Sequence, residues 1–492
     1  MIVNIQLLFL YLSVIITLIP AGDVNKTPTI GIIGAGIGGT STAYFMRELF
    51  GDDAKIDIYE KNYVGGRLAT VSIDNREYEI GGSIIHPKNM YMINFTNILG
   101  LERIHNSDST LGIWNGNDML IKTSSYKYVA MGQLLWRYGM NIYNVQNWVQ
   151  TELMNDFLKI YEIQKNGHAY TSVTDLLSSM NPKFVKLLSS SIKEVMKKDG
   201  FSDRFIDELV MAAMRTNYGQ TTDIPAFVGA VSLAGVEDGL WSVKGGNKKV
   251  PELLIKQANA NLIEGEVIAV RLVDEDEPTY EIDYKCKNCA NPNEMKTREY
   301  NIVVVAKPIH ADFSSIKFEG FTTPIKTYPQ RYHKLTATMI QGVPNVTYFG
   351  VDSPENFPTS LLTSNADVYF NSIGKHEPVN QEAGPSVYKI FTNTPLSKEK
   401  LSTYFKSEDD VRMVDMLAYP EYDFKPENLP PFVLHDKVYY VNAIEMAASA
   451  MEMSALGAKN VALLAHHHWT GNLDKIDEPY DSSSSSKAKS EL

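Results

Sequence analysis

Gly34-Ala35-Gly36-Ile37-Gly38-Gly39 carries the G-x-G-x-x-G spacing between an apolar run and a run of small residues. In that spacing the first glycine makes a tight turn and the second lets a pyrophosphate reach the backbone. The third lets a helix pack closely on a strand. A helix that starts there offers unpaired N–H donors and the positive end of its dipole to phosphates. The preceding "TIGII" reads as a strand, "TSTAYFMREL" as a helix, and Glu60 closes the next strand, "KIDIYE". An acid at that place accepts from a ribose hydroxyl, so the unit predicts dinucleotide binding. The spacing alone does not choose between NAD and FAD.

Two more glycine pairs follow: Gly65-Gly66, with Arg67 next to them, and Gly81-Gly82-Ser83 in "YEIGGSIIHP". Side-chain-free residues behind a strand suit a close backbone approach. His86 in the same stretch is a candidate for contact with ligand; a structural hydrogen bond is the equal alternative. His466-His467-His468 do not read as a metal site, because three consecutive helical residues point in different directions. They suit the C-terminal end of a helix and its dipole.

The elements that must position these residues lie in three separated places. After the first βαβ unit, residues 116–235 show helical apolar spacing, as in "VQNWVQTELMNDFLKIYEIQ". "EYNIVVVAKP" reads as a buried parallel strand. Residues 313–433 alternate short strands with Pro-rich turns, and a last strand and long small-residue helix follow. The fold class is therefore α/β, a Rossmann-like domain of discontinuous segments with an inserted α+β domain. The boundaries expected are 23–115, 236–312 and 434–475 for the cofactor-binding domain. Residues 116–235 and 313–433 form the substrate domain, with 1–22 a signal peptide and 476–492 a disordered tail.

Bulk properties agree. The chain has 492 residues, 44% hydrophobic and 21% charged, enough for a sizeable core. With 58 acidic against 46 basic residues and a net charge of −12, nucleic acid is excluded as the main partner. The apolar run near Ile5–Ile19, then Pro20, Ala21 and Gly22, fits a secretory signal peptide, with a signal anchor as the rival. Asn25, Asn94 and Asn345 head N-x-T triplets and are candidate glycosylation sites. Cys286 and Cys289 are the only cysteines, and in an oxidising compartment they suit a local disulfide.

"YEKNYVGGRLATV" and "YEIGGSIIHPKNMYM" resemble the glycine motifs of the amine-oxidase-like FAD superfamily. So do "WSVKGGNKKVPELLI" in the middle of the chain and "NAIEMAASAMEMSALGAKNVALLAHHHW" near its end. The set as a whole, with "GGSIIHPKN" and "LLAHHHW" its most particular pieces, is similar to the prenylcysteine oxidase family. The resemblance implies non-covalent FAD. It implies cofactor contacts from Gly34, Gly36, Gly38, Gly39, Glu60, Gly65, Gly66 and Arg67, the last three against the pyrophosphate. Gly81, Gly82 and Ser83 would pass the flavin ring, Val267 the adenine, and Met451 and Glu452 the flavin from the last helix. The superfamily usually has glycine where Ala450 stands.

The family's reaction converts S-prenyl-cysteine, O2 and water to cysteine, a prenyl aldehyde and H2O2, by hydride transfer from the allylic carbon beside sulfur. The cofactor carries the hard step and no strong base is obligatory. The helical stretch is a candidate wall for the prenyl chain, though such residues also serve as ordinary core. An amine or polyamine oxidase, or a non-catalytic prenyl-lipid carrier, are the alternatives. The resemblance also implies a lysosomal glycoprotein, and peripheral membrane association is a separate expectation. Lys489-Ser490-Glu491-Leu492, similar to K-D-E-L, keeps the ER lumen and secretion as rivals.

Overall fold

A computed structural model describes residues 27–105, 110–291, 294–310, 312–313 and 316–480. The signal segment, Asn25 and the chain end lie outside the described residues. β1 (Thr29–Ile33) is buried along almost its whole length, as a central parallel strand requires. Helix α1 (Ile37–Phe50) returns over the sheet, and β2 (Lys55–Glu60) pairs parallel with β1. Ile302–Val305 lies on the other side of β1, followed by Val438–Tyr440, both parallel. Asn261–Asp274 does two jobs: its first residues pair parallel with β2, and the rest starts an antiparallel meander with Thr279–Cys286 and Met295–Tyr300. One nine-stranded sheet is thus assembled from three stretches of chain.

A second, seven-stranded sheet has the order Phe405–Pro420, Tyr332–Pro344, Val387–Thr392, Phe370–His376, Ser360–Thr363, Leu111–Trp114, Met119–Lys122. Its last pair begins before residue 116, so the expected boundary there is too late. Leu111–Trp114 runs parallel to Ser360–Thr363, a pairing between distant segments that local pattern cannot show. One face of this sheet packs an aromatic core that includes Trp114, Phe349, Phe370 and Tyr404. The other face meets the hairpin Thr70–Ile73/Arg76–Glu79 through Ile73, Tyr78, Ile80, Ala337, Met339 and Val387. Asp74 and Asn75 turn that hairpin with φ of 48° and 59°, the two positive angles of a type I′ turn. The hairpin therefore packs on the second sheet. Helices between Lys127 and Leu233 close the third side.

Residues 476–480, expected to belong to the disordered tail, are among the described residues. Residues 475–477 are held: Ala169 N–H donates to the Lys475 carbonyl, and Asp477 accepts from Thr171 N–H and Oγ1–H at 2.8 and 2.7 Å. Cys286 and Cys289 are joined at the end of a meander strand, with Cα atoms 5.7 Å apart.

Candidate active site

A cavity of about 1300 Å³ runs from the dinucleotide turn to the second sheet and the helices. Its head is built from backbone. Gly34 has φ +111°, and a Cβ there would lie 2.7 Å from the Ala306 carbonyl oxygen. A Cβ on Gly39 would lie 1.9 Å from the Gly34 carbonyl oxygen, so α1 could not seat on the turn. On Gly38 it would meet Val441 Cγ1 at 3.2 Å. Gly36 differs: its backbone is extended, and the nearest atom to a Cβ would be the Gly65 carbonyl oxygen at 3.8 Å. Nothing in the protein requires glycine at Gly36, yet it caps the α1 N-terminus on the cavity wall. No side chain caps that helix and no acid sits in its first turn. The open space and free N–H donors fit a pyrophosphate there.

Glu60 lines the same region. Its carboxylate accepts from Ala35 N–H at 3.0 Å and Asn62 N–H at 2.7 Å, fixing the turn beside the place for a ribose. Lys307, beyond the end of Ile302–Val305, is a further lining residue, whose pKa burial lowers to about 8. Gly65 N–H donates to the Ala35 carbonyl, so the second glycine pair lies against the first turn. Both Gly65 and Gly66 have positive φ.

Arg67 lines the cavity and has protein partners of its own. Its guanidinium pairs with buried Glu445 and donates to the Ala418 carbonyl at 2.7 Å. Burial opposes its charge, but Glu445 outweighs this and raises the pKa. Glu445 also accepts from Tyr332 O–H and Asn442 Nδ2 at 2.9 Å each. Arg67 therefore clamps the glycine motif to the second sheet and the last helical segment.

Gly81 likewise lies against the protein itself. A Cβ there would lie 1.9 Å from the Arg67 carbonyl oxygen, so the chain's own backbone, not a ligand, requires that glycine. Gly82 is open to the cavity, next to Leu68 and Met451, and Ser83 lines it as well. Ala450 has extended backbone, which any residue adopts, so glycine is not demanded at that position. Val267 is buried in its strand opposite Tyr284 and is not among the lining residues. Glu452 accepts from Tyr91 and Met92 N–H at 2.7 and 3.0 Å and from Tyr161 O–H at 2.7 Å. It thus caps the helix Met90–Ile98 from the cavity wall, and burial raises its pKa to about 7.

His86 also lines the cavity. Lys88 N–H donates to its Nδ1 at 3.1 Å, and its Nε2 lies 3.3 Å from Glu237 Oε2. Burial lowers its pKa against the pull of Glu237. Lys88 bonds Gln150 Oε1 at 3.0 Å, tying this segment to the helices whose Leu153, Met154 and Phe157 form an apolar wall. Of the terminal histidines, His467 Nε2–H donates to the Gly167 carbonyl at 2.7 Å and His468 Nδ1 pairs with Tyr439 O–H at 2.8 Å.

Sequence reasoning missed the far end. Glu79, Lys389 and His376 line the cavity there. Lys389 and Phe391 project from one face of Val387–Thr392, and Lys389 Nζ donates to the Glu79 carbonyl at 3.2 Å. A lone lysine in the apolar run "VYKIF" is the signal that points to it.

A family model described as prenylcysteine lyase matches residues 121–478, and one described as an NAD(P)-binding Rossmann-like domain matches 32–97. Prenylcysteine oxidase 1 from Bos taurus is 41% identical over 465 residues, covering 91% of this chain and 90% of that one. The Homo sapiens protein of the same name is 41% identical over 482 residues, 93% of each chain. A putrescine oxidase triple mutant superposes with a TM-score of 0.60 at 13% identity, over 89% of this chain and 98% of the other; that likeness shows the fold.

Proposed function

The chain belongs to the prenylcysteine lyase family, and on that premise we propose that it is an FAD-dependent thioether oxidase acting on S-prenyl-cysteines. The observation that carries the reading is the continuity of one cavity, from the uncapped helix N-terminus at Gly36 to the apolar wall of Leu153, Met154 and Phe157. The turn at Gly34–Gly39, Glu60 and the Gly65-Gly66 pair would hold the nucleotide half of FAD, and Gly82, Ser83 and Met451 would border its ring. Bound there, FAD would supply a hydride acceptor for the allylic carbon beside sulfur and a route for the two electrons to O2, giving H2O2.

The chain's own residues orient the substrate and exclude bulk water. Sulfur stabilises the carbon that loses hydride, so water adds there without a strong base; the adduct then collapses to thiol and aldehyde. His86, held by Lys88 N–H and Glu237, is a contact for substrate or ring rather than a free base. The only two cysteines are bonded to each other, which supports non-covalent FAD.

Peripheral membrane contact belongs to the same reading, because the substrate is a lipid. It is supported by the helix Lys127–Tyr138 and the residues around it. Tyr126, Tyr128, Trp136 and Met140 expose most of their side chains there, the composition of an interfacial helix. Lysosomal residence is supported by an N-x-T triplet whose Asn94 is exposed, while its Phe95 and Thr96 are buried. Asn345 is half-buried and donates to the Thr403 carbonyl at 2.9 Å, so Asn94 is the better acceptor.

The test is to add farnesylcysteine to the purified flavin-loaded protein. Anaerobic bleaching of the flavin, and farnesal and H2O2 in equal amounts in air, are expected. Bound lipid without peroxide would favour the carrier, and turnover of polyamines alone would favour an amine oxidase.

A further inference from the structure

The cavity has a second, polar end that the reading above leaves without a task. Glu79 is 6% exposed and Lys389 3%, and both line the cavity. Glu79 Oε1 accepts from Asn247 N–H, but Oε2 is buried with no hydrogen-bond partner. Lys389 Nζ donates to the main-chain carbonyl of Glu79, not to its carboxylate, and faces the Phe391 ring with its centroid 5.0 Å away. A buried ammonium with one neutral acceptor and a carboxylate oxygen with none are each costly. His376, Thr359 and Ser360 extend the polar lining on neighbouring strands. Burial pushes the Glu79 pKa up and the Lys389 pKa down; each group's charge opposes the other's shift without outweighing burial.

The order along the cavity follows from one segment. Glu79 touches Lys389, Gly82 is open to the cavity beside Leu68 and Met451, and Lys88 bonds Gln150 on the helical side. The chain from Glu79 to Lys88 therefore runs from the polar end, past the place for the flavin, to the apolar wall. A ligand that spans it must be charged at one end, reactive in the middle and greasy at the other.

We propose that the polar end binds the α-amino-acid head of the substrate, Lys389 taking the α-carboxylate and Glu79 Oε2 the α-ammonium. This rests on the prenylcysteine reading and deepens it by naming the two residues that would hold the zwitterionic head of the free amino acid. A peptide-linked or esterified prenylcysteine lacks one of the two charges.

The test uses the flavin-loaded enzyme with S-farnesyl-cysteine, its methyl ester, its N-acetyl derivative and farnesyl methyl thioether, which has no head. Binding is followed anaerobically by the change in the flavin spectrum, and kcat/KM by peroxide release. In the unaltered enzyme, esterification or N-acetylation should each cost about ten- to a hundredfold, the scale of one hydrogen bond to a charged group. Lys389→Met should lose a similar factor on the free amino acid and nothing further on the ester. Glu79→Gln should behave likewise towards the N-acetyl compound. Gln keeps an acceptor for Asn247 N–H; if the variant nevertheless fails to fold, Lys389→Met and the substrate series still decide. Equal rates for ester and free acid, or an equal loss in Lys389→Met on both, would overturn the head site while leaving the oxidase intact. Failure to oxidise any of the four, the headless thioether included, would overturn the oxidase reading and the head site with it.

Discussion

The two ends of the cavity are built by different means. At the cofactor end, function is held in backbone: Gly34, Gly36 and Gly39 sit within one turn, and each position in the spacing has its own geometric demand. At the substrate end, function is held in side chains from distant segments. Glu79 comes from a hairpin, Lys389 and His376 from two strands of the second sheet, and Phe157 from the helices. A local backbone device keeps its signature in sequence, whereas a site assembled by long-range pairing does not.

The sharpest way to break that comparison lies inside the glycine fingerprint. Gly36→Val should fold, because a Cβ there has space, yet purify without FAD because the side chain fills the phosphate cradle. Gly39→Val should fail to give soluble protein, because its Cβ would enter the Gly34 carbonyl. Absorbance at the flavin band and thermal melting of both variants decide. Full flavin occupancy in Gly36→Val would remove the cofactor from this turn.

Arg67 joins the two ends, and so tests whether they are independent. Arg67→Ala leaves Glu445 buried without its cation, which should cost about 3–5 kcal/mol of stability. Denaturant unfolding would read that loss. Retention of flavin at low temperature in the folded fraction would show that the guanidinium serves the clamp rather than the cofactor.

This residue also marks where sequence ran out. "GGR" was legible as a motif, and so were the strand, turn and helix that carry Gly34–Gly39. The destination of the Arg67 side chain was not, because Glu445 and Ala418 lie several hundred positions away and reach it only through folding. Gly81 was legible as a close-approach glycine, but its partner turned out to be the Arg67 carbonyl. The Leu111–Trp114 strand was hidden for the same reason, since its pairing partner is Ser360–Thr363. Lys389 was missed, although a lone charge in a buried strand departs from the local pattern in the way functional positions do.

Glu452 supplies a pH test at the cofactor end. Its folded pKa of about 7 lies above the 4.5 of an ordinary glutamate, through burial. An acid whose folded pKa is raised keeps its proton in the native state while the unfolded chain releases it. Its contribution is therefore most favourable below pH 4.5 and is lost as pH rises to about 7. At 1.36 kcal/mol per unit, the stability difference between the native protein and Glu452→Gln should change by about 3 kcal/mol over that window. Parallel unfolding curves at pH 4.5 and 7.5 would show it, and a constant difference would mean that the carboxyl ionises normally.

The smallest effect tests whether the two functions of the substrate end separate. Phe157 lines the apolar wall from a helix, whereas Lys389 comes from the second sheet and Glu79 from the hairpin. Phe157→Ala lengthens the apolar end without touching the head site. The ratio of kcat/KM for geranylgeranyl- over farnesylcysteine should then rise about three- to tenfold, since a few methylenes in an apolar pocket are worth only modest discrimination. Esterifying the head should cost the same factor in Phe157→Ala as in the native enzyme, because groups at opposite ends of a ligand act additively when they share no partner. A changed ester penalty would mean that the tail sets the position of the head, and the cavity would have to be treated as one site.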